Sequence, residues 1–184
     1  GAGRMARGDH IYVHRFGGAY GHHGIDCGDN RVIHYTGKDW SSSRVIRKTP
    51  LEAFARGERV MVRSYDTLLS TLRSPQSLGH RTSYQVSRVF NQLRGIDVDA
   101  LDLAPDAVVA RAEQRIGERS FHIVLHNCEH FATWCKTGIS NSEQINTLLS
   151  LIFASPDLNE FTPHRLLLGF HQTLLDLLEG KGPR

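Results

Sequence analysis

The chain has 184 residues, 40% hydrophobic and 22% charged, enough for one domain with its own core and short for two. A formal net charge of +3, spread over scattered basic residues, is too small to mark a nucleic-acid partner, and it leaves a peripheral membrane contact open without indicating one. Three cysteines make no disulfide framework, so free thiols in a reducing, cytoplasmic setting are expected, and the apolar run from Leu148 to Ala154 is far short of the ~20 residues of a spanning helix.

The domain is expected to begin near Met5, with no apolar leader ahead of it. HIYVHRF, from His10, alternates and is rich in β-branched and aromatic residues, so it reads as a strand that Gly17 and Gly18 interrupt. YGHHGIDC and NRVIHY follow, joined through Gly28-Asp29-Asn30, residues that accept positive φ cheaply and so predict a tight hairpin. Strand alternation places His22, Gly24 and Asp26 on one face and turns His23 to the other, while His34 shares a face with Val32. In TPLEAFARGERVMVRSY, Thr49 is the expected N-cap of a short helix with Pro50 in its first turn, ending at Gly57. Glu58 to Tyr65 reads as a further strand.

Residues 66–103 are polar, yet Tyr84, Val86, Val89, Phe90 and Leu93 recur at helical spacing, which predicts a helical insertion. PDAVVARAEQRIG is a clearer helix, opened by Pro105 and closed by Gly117. A short strand, SFHIVL, leads to HNCEHFATWCKTG, a helix starting near Cys128 and stopping at Gly138 after the basic Lys136. Beyond it, helices are expected over 142–153 and 162–179, the second with a stripe of Leu167, Phe170, Leu174 and Leu178. The fold class predicted is α+β: a small antiparallel sheet packed against the Cys-bearing helix, with further helices from the insertion and a C-terminal extension over 139–184.

Cys128 is the chemical focus. A free thiol has a pKa of about 8.5, and helix-start N–H groups with the positive dipole end favour its thiolate. Asn127 is a good N-cap that would put Cys128 in that field, and the same N–H groups suit a developing oxyanion. Glu129 works against this if it stays charged and close. The base must come from elsewhere. His22 and His34 sit on the two arms of the hairpin, either ring can take the thiol proton if the hairpin packs beside the helix, and His34 is the natural group to hold His22 in its tautomer.

Taken together, GDHIYVHRFGGAYGHHGIDCGDNRVIHYTG, TPLEAFARGERVMVRSY and PDAVVARAEQRIGERSFHIVLHNCEHFATWCKTG resemble the lecithin:retinol acyltransferase (LRAT) family, over roughly residues 8–65 and 105–138. Two hairpin histidines precede the NCEHF cysteine, the reverse of the papain order. The resemblance implies a circularly permuted papain-like domain spanning 5–138. Residue by residue it implies Cys128 as nucleophile, His22 as base and His34 as third member, with Tyr20 supporting the oxyanion; Asn127, at the helix start, is the other candidate support. It also implies acyl-thioester chemistry on an acyl lipid or another acyl ester or amide, ending in hydrolysis of a phospholipase A type or in transfer. The chain departs from the best-studied animal members in a longer connection over 66–103 and in lacking their membrane-spanning C-terminal helix, which bears on lipid specificity more than on the triad.

Competing readings are concrete. A cysteine peptidase or amidase would use the same thioester, and a non-catalytic interaction domain would use the insertion as its surface. His22, His34 and Cys128 form a chemically reasonable zinc set, but no C-x-x-C or H-E-x-x-H spacing accompanies them, so neither a metal nor another cofactor is expected. Cys27 and Cys135 read as core residues, and His23 and His130 as structural or surface histidines.

Overall fold

The computed structural model describes residues 4–18, 20–37, 43–73, 95–120, 127–141, 144–146 and 148–149; the side chains of Phe16, Tyr20, Thr67, Leu68, Thr71, Leu72, Ser120 and Asn127 are not part of that description. The expected helix around Tyr84 to Leu93, the strand SFHIVL beyond Ser120 and the helix over 162–179 lie outside the described residues.

Four strands follow one another as an antiparallel meander: β1 (His10–Arg15), β2 (Tyr20–Gly28), β3 (Arg31–Thr36) and β4 (Arg44–Pro50). Two short strands, β5 (Met61–Val62) and β6 (Arg119–Ser120), pair with β1 and β4, giving a six-stranded sheet in the order β5-β1-β2-β3-β4-β6. Helices α1 (Leu51–Ala55), α2 (Asp66–Arg73), α3 (Pro105–Gln114) and α4 (Asn127–Thr137) complete the α+β arrangement.

The β2–β3 turn is the expected one. Asp29 and Asn30 have φ of 50° and 56°, the left-handed pair of a hairpin turn whose twist matches its strands. It sets a register in which Gly24 faces His34 and Asp26 faces Val32. His22, Gly24, Asp26, Val32 and His34 therefore share one face of the sheet, while His23, Ile25, Cys27, Ile33 and Tyr35 share the other.

The two faces bury different partners. Ile25, Cys27, Ile33, Tyr35 and Ile46 pack with Val108, Val109 and Ala112 of α3 and with Cys128, Phe131, Ala132 and Cys135 of α4. On the opposite face a smaller cluster joins Ile11, Val13 and Val32 to Phe54 of α1. A third cluster gathers Tyr65, Leu69, Ile139, Ile145, Leu148 and Leu149, with Ile96, Val98, Leu101 and Leu103 against it. Each fully buried aliphatic or aromatic side chain contributes about 1.5–3 kcal/mol of transfer free energy.

Three local expectations change. Thr49 is not a helix cap: α1 starts after Pro50 with no side-chain cap hydrogen bond, and Thr49 belongs to β4, opposite Val32. β4 was not anticipated, because RVIRKTP places only Ile46 in full burial and pairing with β3 makes it a strand. The strand expected over 58–65 shrinks to Met61–Val62, the residues that pair with Tyr12 and Ile11. Among the described residues no helix is long and apolar enough to cross a membrane.

Candidate active site

The hairpin brings two imidazoles together. His22 Nε2 lies 2.9 Å from His34 Nδ1, the rings meeting edge to face with centroids 5.1 Å apart. Phe54 covers both, its ring centroid 5.2 Å from that of His22 and 5.0 Å from that of His34. Gly24 makes the approach possible: a Cβ there would sit 2.7 Å from Val32 Cγ1 and 3.1 Å from His34 Cβ. At the far side of His34, Nε2 is 2.7 Å from Thr49 Oγ1, which is 3.3 Å from the Pro50 carbonyl oxygen. A carbonyl only accepts, so the Thr49 hydroxyl donates to Pro50 and accepts from His34 Nε2–H. His34 Nδ1 then accepts from His22 Nε2–H, and the network assigns the lone pair of the His22 ring to Nδ1.

Both rings are held neutral. Burial pushes His22 well below the usual histidine range, and His34, Arg15, Arg44 and Arg56 add to it. Burial also pushes His34 down to about 4 against a backbone hydrogen bond at Tyr35, and the same three arginines add to the lowering. A neutral imidazole is the form able to take a proton.

Cys128 occupies the first turn of α4, buried in the cluster formed with β2, β3 and α3. Its Sγ lies 3.6 Å from the carbonyl oxygen of Gly21, the residue preceding His22. The start of α4 thus meets β2 next to the histidine pair. Tyr20 opens β2 opposite Arg15 and Asn127 opens α4; their side chains, expected to support an oxyanion, lie outside the described residues.

A family model described as lecithin retinol acyltransferase matches residues 3–141. The chain belongs to the lecithin retinol acyltransferase family. It is 29% identical over 147 residues to lecithin retinol acyltransferase of Rattus norvegicus, covering 75% of this chain and 57% of the relative. It is 26% identical over 148 residues to Protein LEAD-SENSITIVE 1 of Arabidopsis thaliana, covering 72% and 57%. The chain therefore spans little more than half the length of the curated relatives it matches.

This family member carries a second buried polar cluster that sequence reasoning missed. His10 Nε2 is 2.8 Å from His23 Nδ1, and His10 Nδ1 is 2.7 Å from Tyr65 Oη. His23 Nε2 lies 3.9 Å from Glu129 Oε1, and Glu129 accepts a hydrogen bond from Arg63. Burial pushes His10 and His23 well below the usual range, with Arg63 next in effect on both. The only sequence signal was polar residues at inward positions of β1 and β2, where an apolar pattern would be expected.

The other thiols are core residues. Burial raises Cys27 and, more strongly, Cys135, the latter against Arg115 and Arg111. His130 instead pairs with Asn146, Nε2 to Oδ1 at 2.7 Å. Among the described residues no group of three or more His, Cys, Asp or Glu side chains is arranged to hold a metal ion.

Proposed function

We propose that this LRAT-family domain is a thiol-dependent acyl enzyme of permuted papain-like architecture, with Cys128 as nucleophile, His22 as general base and acid, and His34 orienting His22. The observation that supports this reading is the directed chain from His22 through His34 and Thr49 to Pro50, which leaves the basic lone pair on Nδ1 of His22, the residue after the Gly21 whose carbonyl oxygen Cys128 Sγ contacts. Chain order supports it as well, since both histidine strands precede the cysteine helix.

In the first step His22 takes the thiol proton and the thiolate attacks an acyl carbonyl carbon, moving the carbonyl electron pair onto oxygen. Backbone N–H groups at the start of α4 suit that oxyanion, with Tyr20 and Asn127 as supporting residues. The oxyanion collapses, the alkoxide leaves with the proton from His22, and the acyl group stays as a thioester on Cys128. His22 then deprotonates water or another acceptor, which attacks the thioester and returns the thiolate. Acyl lipids are the substrate class that the family favours, and the acceptor decides between hydrolysis and transfer.

Incubation with mixed phosphatidylcholine vesicles, followed by intact-protein mass and fatty-acid analysis, tests this. An acyl adduct or fatty-acid release that vanishes in Cys128→Ala is expected. Neither signal in the wild type, or either one persisting in Cys128→Ala, overturns the proposal. Acylation by peptide esters but not by lipids would instead make the domain an amidase.

A further inference from the structure

Glu129 follows the proposed nucleophile directly, so a carboxylate sits in the turn where a thiolate is meant to form. Uncompensated, that charge opposes the thiolate and cancels the field of the helix start. The carboxylate is buried, 7% exposed as a residue, so water does little to screen it. Its partner is Arg63, itself 8% exposed, whose Nη1 hydrogen-bonds Glu129 Oε1.

Arg63 is held from three directions. Its backbone N–H donates to the His10 carbonyl oxygen at 2.8 Å, its guanidinium lies 5.3 Å from the Tyr12 ring centroid, and its head meets Glu129 on α4. The residue therefore ties the β1–β5 edge of the sheet to the first turn of the cysteine helix, across 66 residues of chain. His23 does not share the neutralising task, because burial and Arg63 keep it uncharged.

We propose that Arg63 is a positioning residue for Cys128: through its buried ion pair with Glu129 it fixes the first turn of α4 and cancels the carboxylate charge beside the thiol. This rests on the acyl-enzyme reading and extends it to a residue that no catalytic motif marks. Other groups facing this turn are His23 of β2, Tyr35 of β3 and Tyr65 after β5, with His10 of β1 behind His23 and Tyr65. On α3 and beyond, Arg111 and Arg115 face the later turns of α4, where Lys136 reaches Gly8 and Asp9. These groups stay the same in every variant below, so differences report the Arg63–Glu129 pair.

The test is the pH dependence of iodoacetamide alkylation at Cys128, read by peptide mass, which needs no acyl substrate. Arg63→Met should raise the pH of half-maximal reactivity by about one pH unit, and Glu129→Gln should lower it. Arg63→Lys, which keeps the charge, should stay near the wild type, and Arg63→Met combined with Glu129→Gln should return toward it. A merely structural role would alter folding without moving these midpoints in opposite directions. If Arg63→Met fails to fold, Glu129→Gln decides alone: an unchanged midpoint overturns the role of the pair. A wild-type midpoint equal to that of the denatured chain removes the acyl-enzyme reading itself, whereas a low wild-type midpoint that neither variant moves removes only the role of Arg63.

Discussion

His22 Nε2 stands 2.9 Å from His34 Nδ1, and Thr49, two residues before α1 begins, decides which way the shared hydrogen points. The Thr49 hydroxyl, 2.7 Å from His34 Nε2, links β4 to the histidine pair. Replacing Thr49 by Val removes the acceptor of His34 Nε2–H and keeps the shape. A buried donor left unpaired costs about 1–3 kcal/mol, and loss of the tautomer should slow acylation about 10-fold or more. Single-turnover acylation of Thr49→Val against Thr49→Ser checks this, and equal rates would remove Thr49 from the site.

Gly24 is the second residue on which the pair depends. A methyl group there meets Val32 Cγ1 at 2.7 Å, the Ile33 carbonyl oxygen at 3.1 Å and His34 Cβ at 3.1 Å. Overpacking of this kind costs about 1–3 kcal/mol, and the displaced neighbour includes His34. Gly24→Ala should lower the urea midpoint and slow acylation together; unaltered acylation in a destabilised variant would show that His34 can shift without consequence.

Acid should unfold the domain early. His10, His22, His23 and His34 are all lowered by burial, His34 to about 4. A histidine lowered in the folded state binds fewer protons there than in the unfolded chain. Its contribution is therefore whole above about pH 6.5 and is lost as pH falls toward the folded value. For His34 alone the window from 6.5 to about 4 corresponds to on the order of 3 kcal/mol. Asp26, raised by burial, opposes this only near the acid end. Urea midpoints taken from about pH 7.5 to about pH 4.5 should fall steadily, and a flat profile would mean the histidines charge without cost.

The three thiols should separate by reactivity. All three thiols are buried in the core between the sheet, α3 and α4; burial raises Cys27 and Cys135, while Cys128 sits at a helix start. Brief alkylation of the folded protein near neutral pH should place one label, on Cys128, with the others reacting only in denaturant. Labelling that reaches Cys27 or Cys135 first would contradict this order.

Much of the site was legible in the chain because it is local. His22 and His34 lie on adjacent arms of one hairpin, Gly28-Asp29-Asn30 specifies its turn, and two-residue alternation then puts both rings on one face. Thr49 was misread as a cap, since Thr before Pro satisfies the local rule for a helix start equally well. The Arg63–Glu129 pair was invisible, because a single Arg near a strand end has no pattern that names a partner on a distant helix.

Alternating strands, a left-handed two-residue turn and a cysteine placed at a helix start follow from the amino-acid order, as each depends on backbone preferences within a few residues. Which groups surround the cysteine and the histidines was decided by the tertiary structure. Pairing of β4 with β3 delivers Thr49 to His34, and packing of α4 on the sheet delivers Glu129 to Arg63. Such contacts form because buried polar groups must find partners wherever the folded chain places them, and their sequence separation carries no signature of that need.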